Sequence, residues 1–192
     1  MQNVNNTSYI NKNKIINIKS EVLFREAEDD LFYFNKINSA FKKLETALEL
    51  TPYHYKSIVM YADICFMKGY IKKALRYYLK AGEILQSDAK VQAAICNCYN
   101  IMKDYKNALK YCKKAITLLN YQNFSLLSQL IEIKINILVN QKKYKQAYIT
   151  FIQAQNILDN NSLNIIYNEN YNLINEKIKL QKKLLHSHLK IV

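Results

Sequence analysis

Residues 55–88 read YKSIVMYADICFMKGYIKKALRYYLKAGEILQSD, two amphipathic runs separated at Gly69. In the second run Ile71 stands three residues before Ala74, Tyr78 four after it, and Ala81 seven after it. Those offsets put all four residues on one face of a helix. The alanine pair recurs outward from this stretch as Ala40 and Ala47, Ala108 and Ala115, and Ala147 and Ala154, so the first alanines are spaced by 34, 34 and 39 residues. The flanking places recur too: Ile37, Tyr105 and Tyr144 precede the alanines, and Leu44, Cys112 and Phe151 follow them. Small alanines let a neighbouring helix approach closely, and the larger residues beside them fill the remaining space. A helical unit repeated at this period marks stacked helix pairs rather than a single globular core.

The unit resembles the tetratricopeptide repeat (TPR) family. Residues 55–88 carry the likeness best, with Ala62 in the small first-helix place, Gly69 at the turn, and Ala74, Tyr78 and Ala81 in the second helix. In the same register the units run 21–54, 55–88, 89–122 and 128–161, with a five-residue insertion at 123–127. The family's early tryptophan is replaced by Phe24, Ile58, Gln92 and Ile131, and its closing proline survives only as Pro52. The small first-helix place holds Glu28, Ala62, Cys96 and Ile135, so the first and fourth units are degenerate. The resemblance implies an all-α, right-handed superhelical solenoid of about four helix pairs. It also implies a non-enzymatic scaffold that binds other proteins, though a fold of this class does not name its ligand.

The period and the breakers predict first helices near 21–34, 55–68, 89–102 and 123–140. Second helices are expected near 37–50, 71–84, 105–119 and 144–158, with turns at Asn35, Lys68 and Gly69, Lys103 and Asp104, and 141–143. Residues 1–20, rich in Asn and Lys, read as a polar, disordered N-terminal tail. Residues 162–192 read as a C-terminal capping helix, which repeat arrays need to cover their last apolar flank. The hydrophobic share of 50% is ample for a core, and two glycines and one proline leave few strand or hairpin signals. No secretory signal and no run of roughly 18 apolar residues occurs, which reads as an intracellular, cytoplasmic protein without a transmembrane segment.

In the family the first helices of successive units line a concave groove. The resemblance therefore implies a peptide-binding groove made of Arg25 and Asp29 in the first unit and Lys56, Val59, Met60, Asp63, Phe66 and Met67 in the second. Lys90, Ala94, Asn97, Asn100 and Ile101 would follow in the third, and Gln129, Ile133 and Asn136 in the fourth. Val22, Glu26, Phe32, Tyr33, Ala93, Glu132, Val139 and Asn140 fall on the same face. Asparagine can both donate to and accept from a peptide backbone, Asp29 and Asp63 would favour a basic group, and the methionines adapt to an apolar anchor. For Phe66 and Met60 interhelix packing is an equal alternative, and for Asp63 and Asn97 the lesser alternative is plain solvated polarity.

Some family members clamp the C-terminal carboxylate of heat-shock chaperones with Lys, Asn and Arg. The matching places here are Arg25, Asp29, Met60, Lys90 and Ala94, or, one unit later, Val59, Asp63, Ala94, Gln129 and Ile133. An acidic residue in either set would repel the carboxylate, so no such clamp is expected. The partner is an unidentified protein or peptide.

The formal charge of +13 raises a different class, an adaptor that docks RNA or another acidic surface through second-helix lysines such as Lys72, Lys73, Lys80, Lys110, Lys113 and Lys114. Tyr77, Tyr105, Tyr111 and Tyr144 would then stack on bases. No nucleic-acid fold motif accompanies the charge, and most of these tyrosines match core places, so nucleic acid is the weaker reading. Self-association through the degenerate end units is a third, and the oligomeric state stays open. The alternation of Lys and Leu over 177–190 suits either a cap or an amphipathic partner helix.

Catalysis finds no motif. Cys65, Cys96, Cys98 and Cys112 lack metal-ligand spacing and suit helix packing, as reduced structural cysteines. His54, His186 and His188 lack partners in sequence, and no phosphate loop or nucleophile elbow occurs. Glu28, Asp29 and Asp30 read as a surface carboxylate cluster near a helix N-terminus. No cofactor or metal is expected.

Overall fold

The computed structural model describes the backbone of residues 2–119 and 123–160. Among the described residues eight α-helices follow one another: α1 (Gln2–Phe32), α2 (Ile37–Leu50), α3 (Tyr55–Met67), α4 (Ile71–Ile84), α5 (Ala89–Ile101), α6 (Tyr105–Leu119), α7 (Phe124–Asn140) and α8 (Tyr144–Asn160). No strand occurs among the described residues, and the all-α class stands. The capping helix expected over 162–192 lies outside the described residues. The insertion before the fourth unit lengthens its first helix, since α7 has 17 residues where α3 and α5 have 13.

The chain divides into two units, Met1–Ser87 and Asp88–Val192. In the first, α1 packs on α2, α2 on α3, and α3 on α4. In the second, α5 packs on α6, α6 on α7, and α7 on both α5 and α8. All eight alanines of the repeated pairs are buried, as are Leu44, Tyr78, Cys112 and Phe151 beside them. The second unit's core runs through its four described helices, with Cys96, Leu130, Ile135, Ile137, Leu138 and Phe151 among its members. Burying each large aliphatic or aromatic side chain stabilises by about 1.5–3 kcal/mol.

Each first helix ends on a residue in the left-handed region: Asn35 (φ 52°), Gly69 (φ 78°), Lys103 (φ 61°) and Lys142 (φ 58°). At the last three joints the following N–H closes on a carbonyl five residues back, as Tyr70 on Cys65, Asp104 on Tyr99 and Lys143 on Leu138, at 2.8 to 2.9 Å. The left-handed residue itself donates to the carbonyl three back. This Schellman arrangement satisfies the orphan carbonyls of the first helix and turns the chain for the second. The joint at Asn35 is one residue longer, with Lys36 donating to the Asp30 carbonyl.

Two expectations are corrected. Residues 1–20, expected as a disordered tail, are helical from Gln2 as the first part of α1. Ser20 is buried, its hydroxyl donating to the Ala47 carbonyl at 3.1 Å and meeting the Thr51 hydroxyl, so the helix is tied to α2 and its C-cap. Asp30, expected on a surface near a helix N-terminus, is buried near the C-terminus of α1. Its carboxylate accepts from Ser39 at 2.6 Å and pairs with Lys43 at 2.8 Å on α2.

Candidate functional site

The first-helix face of the first unit comes from α1 and α3. The two helices are tied at one end by His54, the residue before α3. Its Nε2 lies 3.2 Å from Glu21, its Nδ1 lies 2.7 Å from the Ser57 hydroxyl, and its ring meets Phe24 edge-on. Lys56 sits with its ammonium 5.8 Å from the Phe24 ring centre. Arg25, Asp29, Lys56, Asp63 and Met67 are exposed, and Val59 and Phe66 are half-buried. Met60 is buried, so the alternative of core packing wins there and Met60 leaves the groove.

Asp63 differs from a plain solvated carboxylate. Its Oδ1 accepts the Tyr78 hydroxyl of α4 at 2.6 Å. Although part of its surface meets solvent, the density of protein around the carboxylate raises its pKa by desolvation, against the lowering effect of the Tyr78 bond. Arg25 donates to Glu21 at 3.2 Å along its own helix. At the end of this face Phe32, Tyr33, Phe34 and Met67 leave most of their surface open.

In the second unit the face comes from α5 and α7. Lys90, Ile101, Gln129 and Asn136 are exposed, while Ala94, Asn97, Asn100 and Ile133 are half-buried. Ile133 and Val139 lean on the unit's core, and Ala93 is buried within it. Sequence spacing places Ala93 beside Ala94 on the expected groove, but a helix packed on two neighbours buries a wider arc than one stripe.

The tyrosines offered for base stacking are engaged internally. Tyr77 packs edge-on against Tyr61, Tyr111 stacks on Tyr99 with ring centres 5.6 Å apart, and Tyr105 and Tyr144 lean on the second unit's core. The four cysteines are buried and unpaired by disulfide. The Cys112 thiol donates to the Leu130 carbonyl at 3.2 Å. A hydrogen bond with Cys112 and burial push the Cys96 thiol far above its ordinary value, and burial pushes Cys98 up to about 12. Thiols held protonated in this way are poor nucleophiles. Among the described residues no group of three or more His, Cys, Asp or Glu is placed to hold a metal ion, and no helix is long and apolar enough to cross a membrane.

A family model described as INTS8, TPR repeats, matches residues 16–100. No curated protein matches the chain. Among solved structures, MamA is similar with a TM-score of 0.66 and 13% identity, over 74% of this chain and 80% of that one. YrrB, a TPR protein described as having an unusual peptide-binding site, is similar with a TM-score of 0.61 and 16% identity, over 88% of this chain and 91% of its own. The Sgt2 TPR domain from Aspergillus fumigatus has a TM-score of 0.57 and 17% identity, over 65% and 82%. At such identities the structures speak for the fold alone. The matched model begins inside α1 and ends in α5, and the alanine pairs carry the same unit to α8, so the chain is built from helix pairs of the tetratricopeptide-repeat kind.

Proposed function

We propose a non-enzymatic interaction scaffold that holds a peptide or helix segment of a partner protein on its first-helix faces. In the first unit the face is Arg25, Asp29, Lys56, Val59, Asp63, Phe66 and Met67. The observation that carries the reading is the exposure of Met67 at 57% and Phe32 at 69%, on helices that also expose Asp29 and Asp63, with Tyr33 at 79% just past the end of α1. Large apolar side chains left in water beside carboxylates suit a segment with an apolar anchor and a basic group. In the second unit Ile101 supplies the apolar group, and Asn97, Asn100 and Gln129 offer amide partners. The same carboxylates weigh against a chaperone-tail clamp, since Asp29 and Asp63 would face its carboxylate. The nucleic-acid reading lacks its stacking platform, because Tyr77 and Tyr111 are occupied by Tyr61 and Tyr99.

The bond from Tyr78 makes Asp63 a poor test residue, because its removal perturbs the α3 and α4 packing as well. Asp29→Lys with Met67→Glu touches exposed positions instead. Affinity capture from the source cell, wild type beside this double variant, should lose a defined set of proteins while the helical circular dichroism spectrum is unchanged. An unchanged set with an unchanged spectrum would remove this face from the function.

A further inference from the structure

The second unit contains a cleft of about 450 Å³ that none of the first-helix positions above lines. Its walls are Leu109 and Ile116 of α6, Leu138 of α7 and Ile149 of α8, joined by Lys113 of α6 and Lys134 of α7. The remaining lining is threonine and glutamine, and no carboxylate borders it. Its size falls in the usual range for pockets that enclose a ligand group. Ile149 is 55% exposed, so the apolar wall is open to an incoming group.

The charge around the cleft is one-sided for a reason visible in the fold. From residue 88 to residue 160 the acidic residues are Asp88, Asp104, Glu132 and Asp159, against ten lysines. Asp88 accepts from the Lys90 and Val91 N–H groups, and Asp104 from Asn107, so two of the four are committed to helix N-termini. None of the ion pairs among the described residues involves Lys113 or Lys134. Lys134 is half-buried, with its stem among aliphatic groups. A lysine that has given up part of its hydration in this way gains more from an incoming carboxylate than one standing in water.

We propose that this cleft docks an acidic amphipathic segment of a partner protein. Apolar side chains of the segment seat on Leu109, Ile116, Leu138 and Ile149, and an Asp or Glu carboxylate bonds to Lys113 and Lys134. A second copy of this chain is a poorer occupant, because a formal charge of +13 sets like charges against the lysines. RNA is poorer as well, because the wall is aliphatic and offers no aromatic face for a base. The site lies on second helices and α7, so it stands apart from the first-helix reading.

The test uses the full chain and two synthetic helical peptides about 16 residues long. One carries Leu at i, i+3, i+4 and i+7 flanked by Glu, and its twin has every Glu replaced by Lys. Fluorescence anisotropy should show the Glu peptide binding at least about tenfold tighter than the Lys twin, with affinity falling as salt rises. Lys113→Glu with Lys134→Glu should lose that preference, and Ile149→Ser should weaken both peptides while the circular dichroism spectrum is kept. If the charge-reversed variant does not fold, Lys113→Gln with Lys134→Gln should lower the preference in the same direction. Equal binding of the two peptides to the wild type, no binding of either, an unaltered preference in the folded variant, or displacement by a short uridine oligonucleotide at lower concentration than by the Glu peptide each overturns the proposal.

Discussion

In the unit that ends at Ser87, Lys43 bridges Glu26 and Asp30, Lys73 reaches Glu45, and Phe41, Tyr61 and Tyr77 form a run of packed rings. Lys73 also lies over the rings of Phe41 and Tyr61, and the Tyr61 hydroxyl donates to Glu45 at 2.5 Å. The unit that begins at Asp88 is held differently. There Asp88, Asp104 and Asn123 cap α5, α6 and α7, and the core is mostly aliphatic around Phe151. The joints differ as well. The first unit places Asn35 and Gly69 in the left-handed region, and the second places Lys103 and Lys142 there. Asparagine and glycine tolerate that conformation, whereas lysine meets its own carbonyl through Cβ. One repeat framework is thus held by ion pairs and packed rings in one unit and by capping and bulk packing in the other, which also carries the strained lysine joints.

The sharpest way to break this contrast is Gln92. It stands at the family's tryptophan place on α5, is 1% exposed, and neither its amide nitrogen nor its amide oxygen has a hydrogen-bond partner. Leaving a buried polar group unpaired costs about 1–3 kcal/mol. Gln92→Leu, of similar volume, should therefore raise the unfolding free energy by about that amount in urea titration. A loss of stability would mean that the amide is used, and the second unit would no longer be the less satisfied of the two.

The joints give a smaller and opposite pair of effects. Gly69→Ala has open space for its Cβ but must keep φ at +78°, so it should cost about 1–2 kcal/mol. Lys142→Gly relieves the same strain and pays back part of it in unfolded-chain entropy, for a net gain of under about 1 kcal/mol. Thermal unfolding of the two variants should shift in opposite directions. Shifts of the same sign would show that the joint residues act through something other than backbone strain.

Much of this fold is legible in the sequence. The repeat period and the breakers locate the second helices at 37–50, 71–84 and 105–119, and each expected turn contains its left-handed residue. The first half of α1 was not legible because its Asn and Lys composition carries no apolar stripe. The contacts of Ser20 with Ala47 and Thr51 are long-range, and no local pattern announces them. The expected first-helix face was legible as a face but not residue by residue. Met60 and Asp63 share one side of α3, yet Met60 is swallowed by the core and Asp63 stays at the edge, bonded to Tyr78. The cleft on α6, α7 and α8 escaped the sequence because its lysines and aliphatic residues come from three helices.

The smallest effect concerns the buried pair of the first unit. The bonds from Lys43 and Ser39 to Asp30 hold its carboxyl below the ordinary carboxylate range, and burial works against them. With the folded pKa below the unfolded one, the unfolded chain binds this proton first as pH falls. The stability from Asp30 is therefore complete above the unfolded value near 4 and is lost as pH drops through the folded value. Asp30→Asn keeps a hydrogen-bonding group beside Ser39 but gives up the charge opposite Lys43, whose half-buried ammonium water screens in part. Its unfolding midpoint should fall modestly at pH 7, and the gap to wild type should close on acidification below about pH 4. A gap that persisted at pH 2 would assign the loss to packing rather than to the ion pair, and the polar tie would no longer distinguish the first unit from the second.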